Sequence, residues 1–375
     1  MTMPDVLFHG SVKTVRGQTG ITPYVFEFTD HYSVFDWGKM PDTLINKGEA
    51  LSYISNLFFD LLGNDQCWKT WECPGVLCES STYKRIKENG VVHHFLGKVD
   101  QDMHKVSSDT PSRFLAVKPV SILRPKAITE ENKLKWKYDG YHNKPVNTLI
   151  PLEVVFRFDV PSGSSLLDRA QDHAYLKEIG LVAAPQEGDS FEMPIIEFSS
   201  KLETTDRYMS YVEAKRISGL SEDEFKDLYD SATLLALRLK SYFEECSIKL
   251  SDGKFEFAWD EKRHPMLVDV ITPDELRISY RGVSLSKENI RKVYRTTNWH
   301  QNVKRAKMLA TERGEKDWKN LCVGELKSSP PNLSESDLKR FSMIYMGLAN
   351  CLFEKLTGKT VYPEAWTLDQ LVLQL

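Results

Sequence analysis

The chain has 375 residues, which exceeds the usual size of one domain, so two domains or lobes are expected. Its hydrophobic content of 41%, charged content of 27% and formal net charge of −4 are typical of a soluble globular protein and argue against nucleic acid as the main partner. No apolar run is long enough to cross a bilayer, and the start MTMPDVLFHG lacks a basic region followed by an apolar one, so we expect a cytoplasmic protein without a membrane partner. The six cysteines are too few for a disulfide framework and are expected to be reduced thiols.

The N-terminal part predicts strands between residues 6 and 36, followed by a helix from Glu49 to Leu62. Gly10-Ser-Val-Lys13 is a short loop whose lysine could reach a phosphate, although a glycine and a lysine near a turn are common. Tyr24–Phe28 alternates in hydrophobicity and predicts a strand. Residues 124–147 are charged and rich in turn-forming residues, which is typical of an insertion or a mobile loop.

The middle of the chain predicts two further strands and a long helix. Leu149–Arg157 is an apolar strand that ends in an arginine beside Pro161–Ser165. An arginine next to a serine- and glycine-rich loop suits an anion, through its fork of donors and exposed backbone amides, but a strand end with a flexible turn is the commoner explanation. Pro194–Lys201 predicts a strand that ends in hydroxyls and a lysine. Ser221–Glu224 is a capping box, which predicts a helix that runs to about Cys246.

The stretch Ser251–Arg277 carries the strongest candidate for a site. Side chains alternate along a strand, so its first half places three charged residues on one face: Asp252, Lys254 and Glu256. Met266–Ile271 predicts a second strand, with Asp269 inside an apolar run. A buried charge is costly unless it is paired or holds a metal, and carboxylates on adjacent strands with a lysine nearby suit Mg²⁺ and a nucleotide phosphate. A surface hairpin with a solvated charged face is the alternative, and these residues alone leave both open.

Two other groups of residues are weaker candidates for a binding site. His93 and His94 are adjacent, so they point to opposite faces of a strand and are poorly placed to share a metal. A basic helix follows Ser286 and includes Arg291; it could bind anions, but a solvated helix face is the commoner explanation. A last helix begins after Ser334 and ends at Gly358.

Taken together, these segments resemble the phosphoribosylaminoimidazole-succinocarboxamide synthase (SAICAR synthetase) family. The similar segments occur in the same order as in the family: Gly10–Val15, Asp30–Asp36, Asn46–Gly48, Ile150–Ser164, Lys254–Phe257 and Asp269–Arg277. So many motifs in one order are hard to explain by chance.

The resemblance implies an α+β fold of two lobes with antiparallel sheets, an ATP cleft between the lobes and extra C-terminal helices. The implied domains are an N-terminal sheet lobe at 1–118, a catalytic lobe at 119–300 with an insertion near 124–147, and a helical extension at 301–375. The implied activity is that of an ATP-dependent ligase of purine biosynthesis. Such an enzyme joins L-aspartate to the carboxylate of 5-aminoimidazole-4-carboxylate ribonucleotide through an acyl phosphate.

The resemblance also implies roles for individual residues. Glu256 and Asp269 would hold Mg²⁺ and, with Lys201, form the catalytic group. The residues expected to contact ATP and its metal are Lys13, Lys118, Glu153, Lys254, Glu256 and Asp269. The residues expected to contact the imidazole ribonucleotide are Ser33, Asp36, Arg157, Ser164, Asp274, Arg277 and Arg291.

The chain departs from the family pattern near the expected substrate groups. Ser11 stands where the family has its first phosphate lysine, and Thr205–Tyr208 stands where an HDE cluster is expected after Lys201. The acidic residues expected to bind Mg²⁺ are kept. These departures leave open a ligase of the same fold that acts on a different carboxylate or amine in a specialised pathway, and also a binding or regulatory protein without catalysis. The oligomeric state stays open.

Overall fold

The computed structural model describes residues 2–130, 133–315 and 317–374. The chain forms two compact units, each assembled from separate stretches of sequence. The first unit comprises Met1–Ile54, Lys98–Ala116 and Ser279–Leu375, and the second comprises Ser55–Gly97 and Val117–Ile278. The domains expected from the sequence are consecutive stretches, and their bounds stay a prediction.

The secondary structure mixes helices with antiparallel sheets, which confirms the α+β class. The strands are β1 (Val6–His9), β2 (Lys13–Gln18), β3 (Ile21–Phe28), β4 (Phe95–Val99), β5 (Phe114–Val117), β6 (Lys126–Glu130), β7 (Lys133–Lys137), β8 (Thr148–Asp159), β9 (Ser190–Ser200), β10 (Tyr208–Met209), β11 (Lys249–Trp259), β12 (Pro265–Val268), β13 (Leu276–Tyr280) and β14 (Val283–Ser284). The helices are α1 (Lys47–Gly63), α2 (Asp65–Lys69), α3 (Ser81–Asn89), α4 (Leu166–Arg169), α5 (His173–Glu178), α6 (Tyr211–Ser218), α7 (Glu222–Glu245), α8 (Glu288–Arg295), α9 (Asn298–Arg313), α10 (Trp318–Asn320), α11 (Glu335–Thr357) and α12 (Leu368–Gln374). None of the helices in the described part of the chain combines the length and the apolar character that crossing a membrane requires.

A five-stranded sheet in the order β1-β2-β3-β5-β4 contains the predicted N-terminal strands. The predicted strand Tyr24–Phe28 lies within β3, and α1 contains the predicted helix. Gly48 in the first turn of α1 lies against the end of β3, where an added Cβ would come within 2.7 Å of the carbonyl oxygen of Phe28. Its amide donates a 2.8 Å hydrogen bond to Asp30. A glycine is required here because the helix start touches the backbone of the strand end.

A seven-stranded sheet follows the order β10-β9-β8-β11-β13-β14, with β12 paired to β11, and its strands β8 to β12 lie in the second unit. Every residue of β8 is buried, on both faces of the strand. One face packs against α7, as the 5.1 Å contact between the rings of Phe198 and Phe225 shows. The capping box at Ser221 is confirmed, and α7 ends one residue before the predicted Cys246. The sheet therefore has an apolar face toward α7 and a second face of different chemistry.

The segment 124–147 is structured where it is described. Strands β6 and β7 form an antiparallel hairpin, and a short helical turn follows at Asp139–Asn143. The expectation of a loop is wrong for Lys126–Glu130 and Lys133–Lys137, because they pair as strands, and the expectation of an insertion stays a prediction. Residues 131 and 132 lie outside the described residues. The six cysteines, each within the described residues, are free thiols.

Gly253 lies on the apolar face of β11, opposite Phe156. A Cβ at this position would come within 2.5 Å of Leu276 and 2.7 Å of Phe156. We expect Gly253→Ala to lower the free energy of unfolding by about 1–3 kcal/mol, because the close-packed core must shift to admit the methyl group. Urea denaturation measures this loss. Gly324→Ala is the control, since its Cβ would meet its nearest neighbour at 3.5 Å, an ordinary contact; equal stability of the two variants would contradict the prediction.

Candidate active site

The face of the seven-stranded sheet away from α7 carries buried charges. The strand register places Glu256 opposite Glu153, and Asp252 opposite Arg157. Glu197 of the neighbouring β9 lies on the same face. All of these side chains are buried. The shared face predicted for Asp252, Lys254 and Glu256 is confirmed, and the solvated-hairpin alternative is wrong because Asp252 and Glu256 are buried and Lys254 is half-buried.

Four carboxylates and two lysines form one group on and beside this face, which we call the carboxylate–lysine cluster. Its members are Glu153, Lys201, Lys254, Glu256, Asp269 and Glu275. Lys254 Nζ lies 2.7 Å from Glu153 and 3.2 Å from Glu275. Lys201 Nζ donates to Glu256 and lies 3.7 Å from Glu153. The structure thus brings together five predicted site residues and adds Glu275, which the sequence analysis missed.

The electrostatics of the cluster leave negative charge in excess. Four carboxylates against two lysines give two unbalanced negative charges when all six groups are ionised. Burial raises the pKa of Glu256, and the neighbouring negative charge of Asp269 raises it further, against the opposing effect of the lysines. Burial by itself would lower the pKa of Lys201, but the charges of Glu256 and Asp269 overcome it and raise that pKa. A further positive charge among these groups would therefore stabilise the ionised form of Glu256.

Asp269 lies just outside the strand that was predicted to contain it. β12 ends at Val268, and Asp269 has a left-handed backbone with φ 62°. The buried ring of His94 donates through Nε2 to the carbonyl oxygen of Asp269 at 3.0 Å, and the amide of His94 donates to Leu267. The predicted strand bound is wrong because this turn of the backbone re-aims the chain after Val268. The sequence does not identify His94 as a supporting residue, because its neighbours along the chain give no sign of this contact.

A second group of charges surrounds Arg157. Its guanidinium donates to Glu197, to Asp252 at 3.3 Å and to the hydroxyl of Tyr208 at 2.9 Å. Asp252 also pairs with Arg277 at 3.1 Å, and the side chain of Arg277 is 37% exposed against 5% for Arg157. Arg157 thus lies at the centre of a buried network, and Arg277 lies at its exposed margin.

Glu197 is the acidic counterpart of two arginines in this network. It accepts hydrogen bonds from Arg157, Arg169 and Tyr175. Burial opposes its ionisation, but the positive charges of the two arginines hold the pKa of its carboxyl below the ordinary value. The carboxylate is therefore ionised at neutral pH and ties the arginines to β9.

Three other predicted residues of the second unit lie apart from these contacts. The side chain of Lys118 lies 3.3 Å from Glu261. Ser164 is buried and its hydroxyl accepts from the amide of Leu166 at 3.4 Å. Asp274 is half-buried in the turn before β13. Their predicted ligand contacts stay predictions.

Four predicted residues belong to the first unit. Lys13 Nζ lies 4.1 Å from the ring centroid of Phe26, and Arg291 pairs with Glu288 on α8 at 3.2 Å. Ser33 is half-buried, and Asp36 is exposed with φ 62°. A left-handed conformation costs a non-glycine residue about 1–2 kcal/mol, so this position is strained. The ligand contacts of these four residues also stay predictions.

The fold and the buried charges define an α+β protein with a charged site on one face of an antiparallel sheet. The family model described as SAICAR synthetase matches residues 6–306. The chain belongs to the SAICAR synthetase family, and it is therefore a ligase.

Individual relatives support this assignment over most of the chain. A protein of Archaeoglobus fulgidus, provisionally named phosphoribosylaminoimidazole-succinocarboxamide synthase, is 32% identical over 354 residues, which cover 93% of this chain and 92% of the relative. The phosphoribosylaminoimidazole-succinocarboxamide synthase of Thermoplasma acidophilum is 27% identical over 364 residues, or 94% and 99% of the two chains. Matches of this length span both compact units.

Solved structures agree on the fold. The SAICAR synthase of Saccharomyces cerevisiae complexed with SAICAR has a TM-score of 0.56 and 22% identity, and covers 96% of each chain. A type-2 SAICAR synthetase in complex with ADP has a TM-score of 0.53 and 21% identity, and covers 95% of this chain and 99% of the other. At these identities the likeness establishes the fold.

The Arg157 network should be needed for stability above mildly acidic pH. We expect Glu197→Gln to lower the free energy of unfolding by about 3–5 kcal/mol at pH 7, because the buried Arg157 and the half-buried Arg169 lose a carboxylate partner. Since the folded pKa of Glu197 is lowered, its stabilisation is present above the ordinary value of 4.5 and is lost as pH falls through the folded pKa. Urea denaturation from pH 7 to pH 3 should show a weaker acid-dependent loss in the variant. The exposed Glu187→Gln is the control; a Glu197 variant as stable as this control would contradict the prediction.

Proposed function

We propose that the protein is an ATP-dependent carbon–nitrogen ligase that joins L-aspartate to the carboxylate of 5-aminoimidazole-4-carboxylate ribonucleotide in purine biosynthesis. Family membership and the names of the relatives support this function over a ligase that acts on another carboxylate or amine. The observation that carries it is the carboxylate–lysine cluster, because a buried group with excess negative charge and two lysines suits a metal-bound polyphosphate. The ADP bound to a protein of the same fold supports ATP as the nucleotide.

The proposed reaction has two steps. An oxygen of the substrate carboxylate attacks the γ-phosphorus of ATP, and the bond to ADP breaks, which leaves an acyl phosphate. The amine of aspartate then attacks the acyl carbon, phosphate leaves with the bonding electron pair, and the amine nitrogen loses a proton. Charge develops on phosphoryl oxygens in the first step, so the protein acts mainly by positioning and by electrostatic stabilisation.

Glu256 and Asp269 are proposed to hold Mg²⁺. Both offer carboxylate oxygens, which are the ligands that Mg²⁺ prefers, and the two unbalanced negative charges of the cluster match a divalent cation. When bound, the ion would withdraw charge from the phosphoryl oxygens of ATP. Lys201 holds the carboxylate of Glu256 by hydrogen bond, and His94 fixes the backbone of Asp269. The two acids are therefore held in place before any ligand binds.

The remaining predicted roles are proposed residue by residue. Lys254 is held by Glu153 and Glu275 beside Glu256, where its charge can face a phosphate. Lys13 and Lys118 are proposed phosphate or nucleoside contacts, as the resemblance implies. The proposed contacts of the imidazole ribonucleotide are Ser33, Asp36, Arg157, Ser164, Asp274, Arg277 and Arg291. Of the two arginines on Asp252, Arg277 is the more exposed, so it is suited to meet an anion while Arg157 holds Asp252.

The test of the proposal is substrate-dependent ADP release. Purified protein is mixed with ATP, Mg²⁺, L-aspartate and the imidazole carboxylate, and each component is omitted in turn. ADP release that requires both the imidazole carboxylate and aspartate supports the proposed function. Release only with other acids or amines would favour the second function, and no turnover with any substrate would contradict both.

The metal assignment makes a separate prediction. We expect Asp269→Asn to abolish turnover, a loss of at least about 10³-fold, because the amide removes a negative charge from the group that balances the cation. Circular dichroism should show that the variant stays folded. Asp223→Asn, an exposed residue in the first turn of α7, is the matched control and should keep full activity. Unchanged turnover in Asp269→Asn would refute the assignment.

A further inference from the structure

Residues 29–46 connect β3 to α1 in the first unit, and this connecting segment contains Ser33 and Asp36. Phe35 and Asp36 are both left-handed, with φ 55° and 62°. A bulky L-residue rarely adopts this backbone conformation, which persists only where the surroundings over-determine it. The amide of Trp37 closes this turn with a 3.2 Å hydrogen bond to the carbonyl oxygen of Val34. The bulky phenylalanine also needs support from residues outside the segment.

Helix α9 packs aromatic rings against the segment. The ring centroid of Phe35 lies 4.4 Å from that of His300 and 6.2 Å from that of Trp299. The ring of Trp37 meets Trp299 edge-on at 5.3 Å. Trp299 and His300 are both buried. Since these contacts hold Phe35, a member of the left-handed pair, and Trp37, which directly follows the pair, they restrict its backbone.

Polar contacts attach the same segment to residues further along the C-terminal part. The hydroxyls of Tyr32 and Tyr294 lie 2.9 Å apart, and both rings are buried. The carboxylate of Asp42 accepts the amide of Leu333 at 2.7 Å. The segment is thus held before and after Phe35 by residues more than 250 positions away.

Asp36 itself pairs with Lys307 of α9 at 2.7 Å. Its side chain is 84% exposed, so this ion pair contributes little by itself, and the aromatic packing supplies most of the restraint. Lys307 directly follows the region 6–306 that the family model matches. Part of the support for the segment therefore comes from the C-terminal residues beyond that region.

We propose that residues 294–333 position the connecting segment for substrate binding, with His300 and Lys307 as positioning residues for Ser33 and Asp36. The inference rests on the proposed function, in which Ser33 and Asp36 contact the imidazole ribonucleotide. A segment released from α9 leaves the left-handed conformation, and substrate binding must then restore it. That cost raises KM for the imidazole substrate and leaves KM for ATP unchanged.

The test combines hydrogen exchange with steady-state kinetics on the full-length chain. In the double variant His300→Ala/Lys307→Ala, we expect amide exchange at residues 33–38 to rise about tenfold. KM for the imidazole carboxylate should rise about tenfold, which equals about 1.4 kcal/mol, while kcat and KM for ATP stay within about twofold. The single variant His300→Phe keeps a ring against Phe35 and retains Lys307. Its amide exchange at residues 33–38 and its KM for the imidazole carboxylate should therefore equal the native values. Because His300 is buried, Lys307→Ala alone is measured as well, with an expected increase in exchange of about twofold.

Arg305→Ala/Met308→Ala is the matched control, since both side chains are exposed on the same helix. It should leave exchange and kinetics at native values. Exchange at 33–38 that is unchanged in the double variant would overturn the positioning inference, and faster exchange with an unchanged KM would overturn its link to substrate binding. A native protein that does not turn over the imidazole carboxylate would refute the proposed function, and the exchange measurement would still decide whether residues 294–333 hold the segment.

Discussion

The pairing of buried charges on one face of the seven-stranded sheet is the constraint on which the rest of the second unit depends. The opposite face packs against α7 and is apolar, so it could be replaced by other well-packed side chains at moderate cost. The charged face has no such freedom, because removal of one partner leaves another charge buried without compensation. Glu197 accepts hydrogen bonds from two arginines, and Lys254 forms ion pairs with two glutamates. Glu197 and Lys254 are thus each needed by two other groups, which helps to fix the register of β8, β9 and β11 together.

The sequence predicted much of this arrangement, because strand alternation is local. The period of two placed Asp252, Lys254 and Glu256 on one face, and the capping box at Ser221 set the start of α7; both predictions are confirmed. The departure of Asp269 from its strand could not be predicted in the same way. It depends on a hydrogen bond from His94, a residue 175 positions earlier in the chain. Similarly, Glu275 joins the cluster through Lys254, and a carboxylate in a turn after Pro273 gives no sign of that contact in its own segment.

In the first unit, even more of the structure depends on contacts that local sequence patterns cannot predict. The strands and α1 follow from local patterns, but the connecting segment between β3 and α1 takes its conformation from α8, α9 and the residues after them. The turn at Phe35 and Asp36 is closed locally by a hydrogen bond from the amide of Trp37 to the carbonyl oxygen of Val34, but phenylalanine itself gains nothing from that backbone conformation. The rings that pack against it, Trp299 and His300, lie 264 and 265 positions away. One compact unit contains both ends of the chain, so its contacts join residues that are far apart in sequence.

The segment Thr205–Tyr208 departs from the family pattern and still takes part in the charged network around Arg157. Because acidic and histidine side chains of the family's HDE cluster are replaced in this segment, the sequence alone leaves a different substrate open. The structure gives the replacements partners within the same unit. Tyr208 accepts a hydrogen bond from Arg157 and lies under the guanidinium of Arg169 at 3.5 Å, and Arg207 pairs with Glu203 and Glu213. Tyr208 satisfies one donor of the buried Arg157 without adding a charge, beside the carboxylates of Glu197 and Asp252. The replaced segment therefore completes the network that holds Arg277.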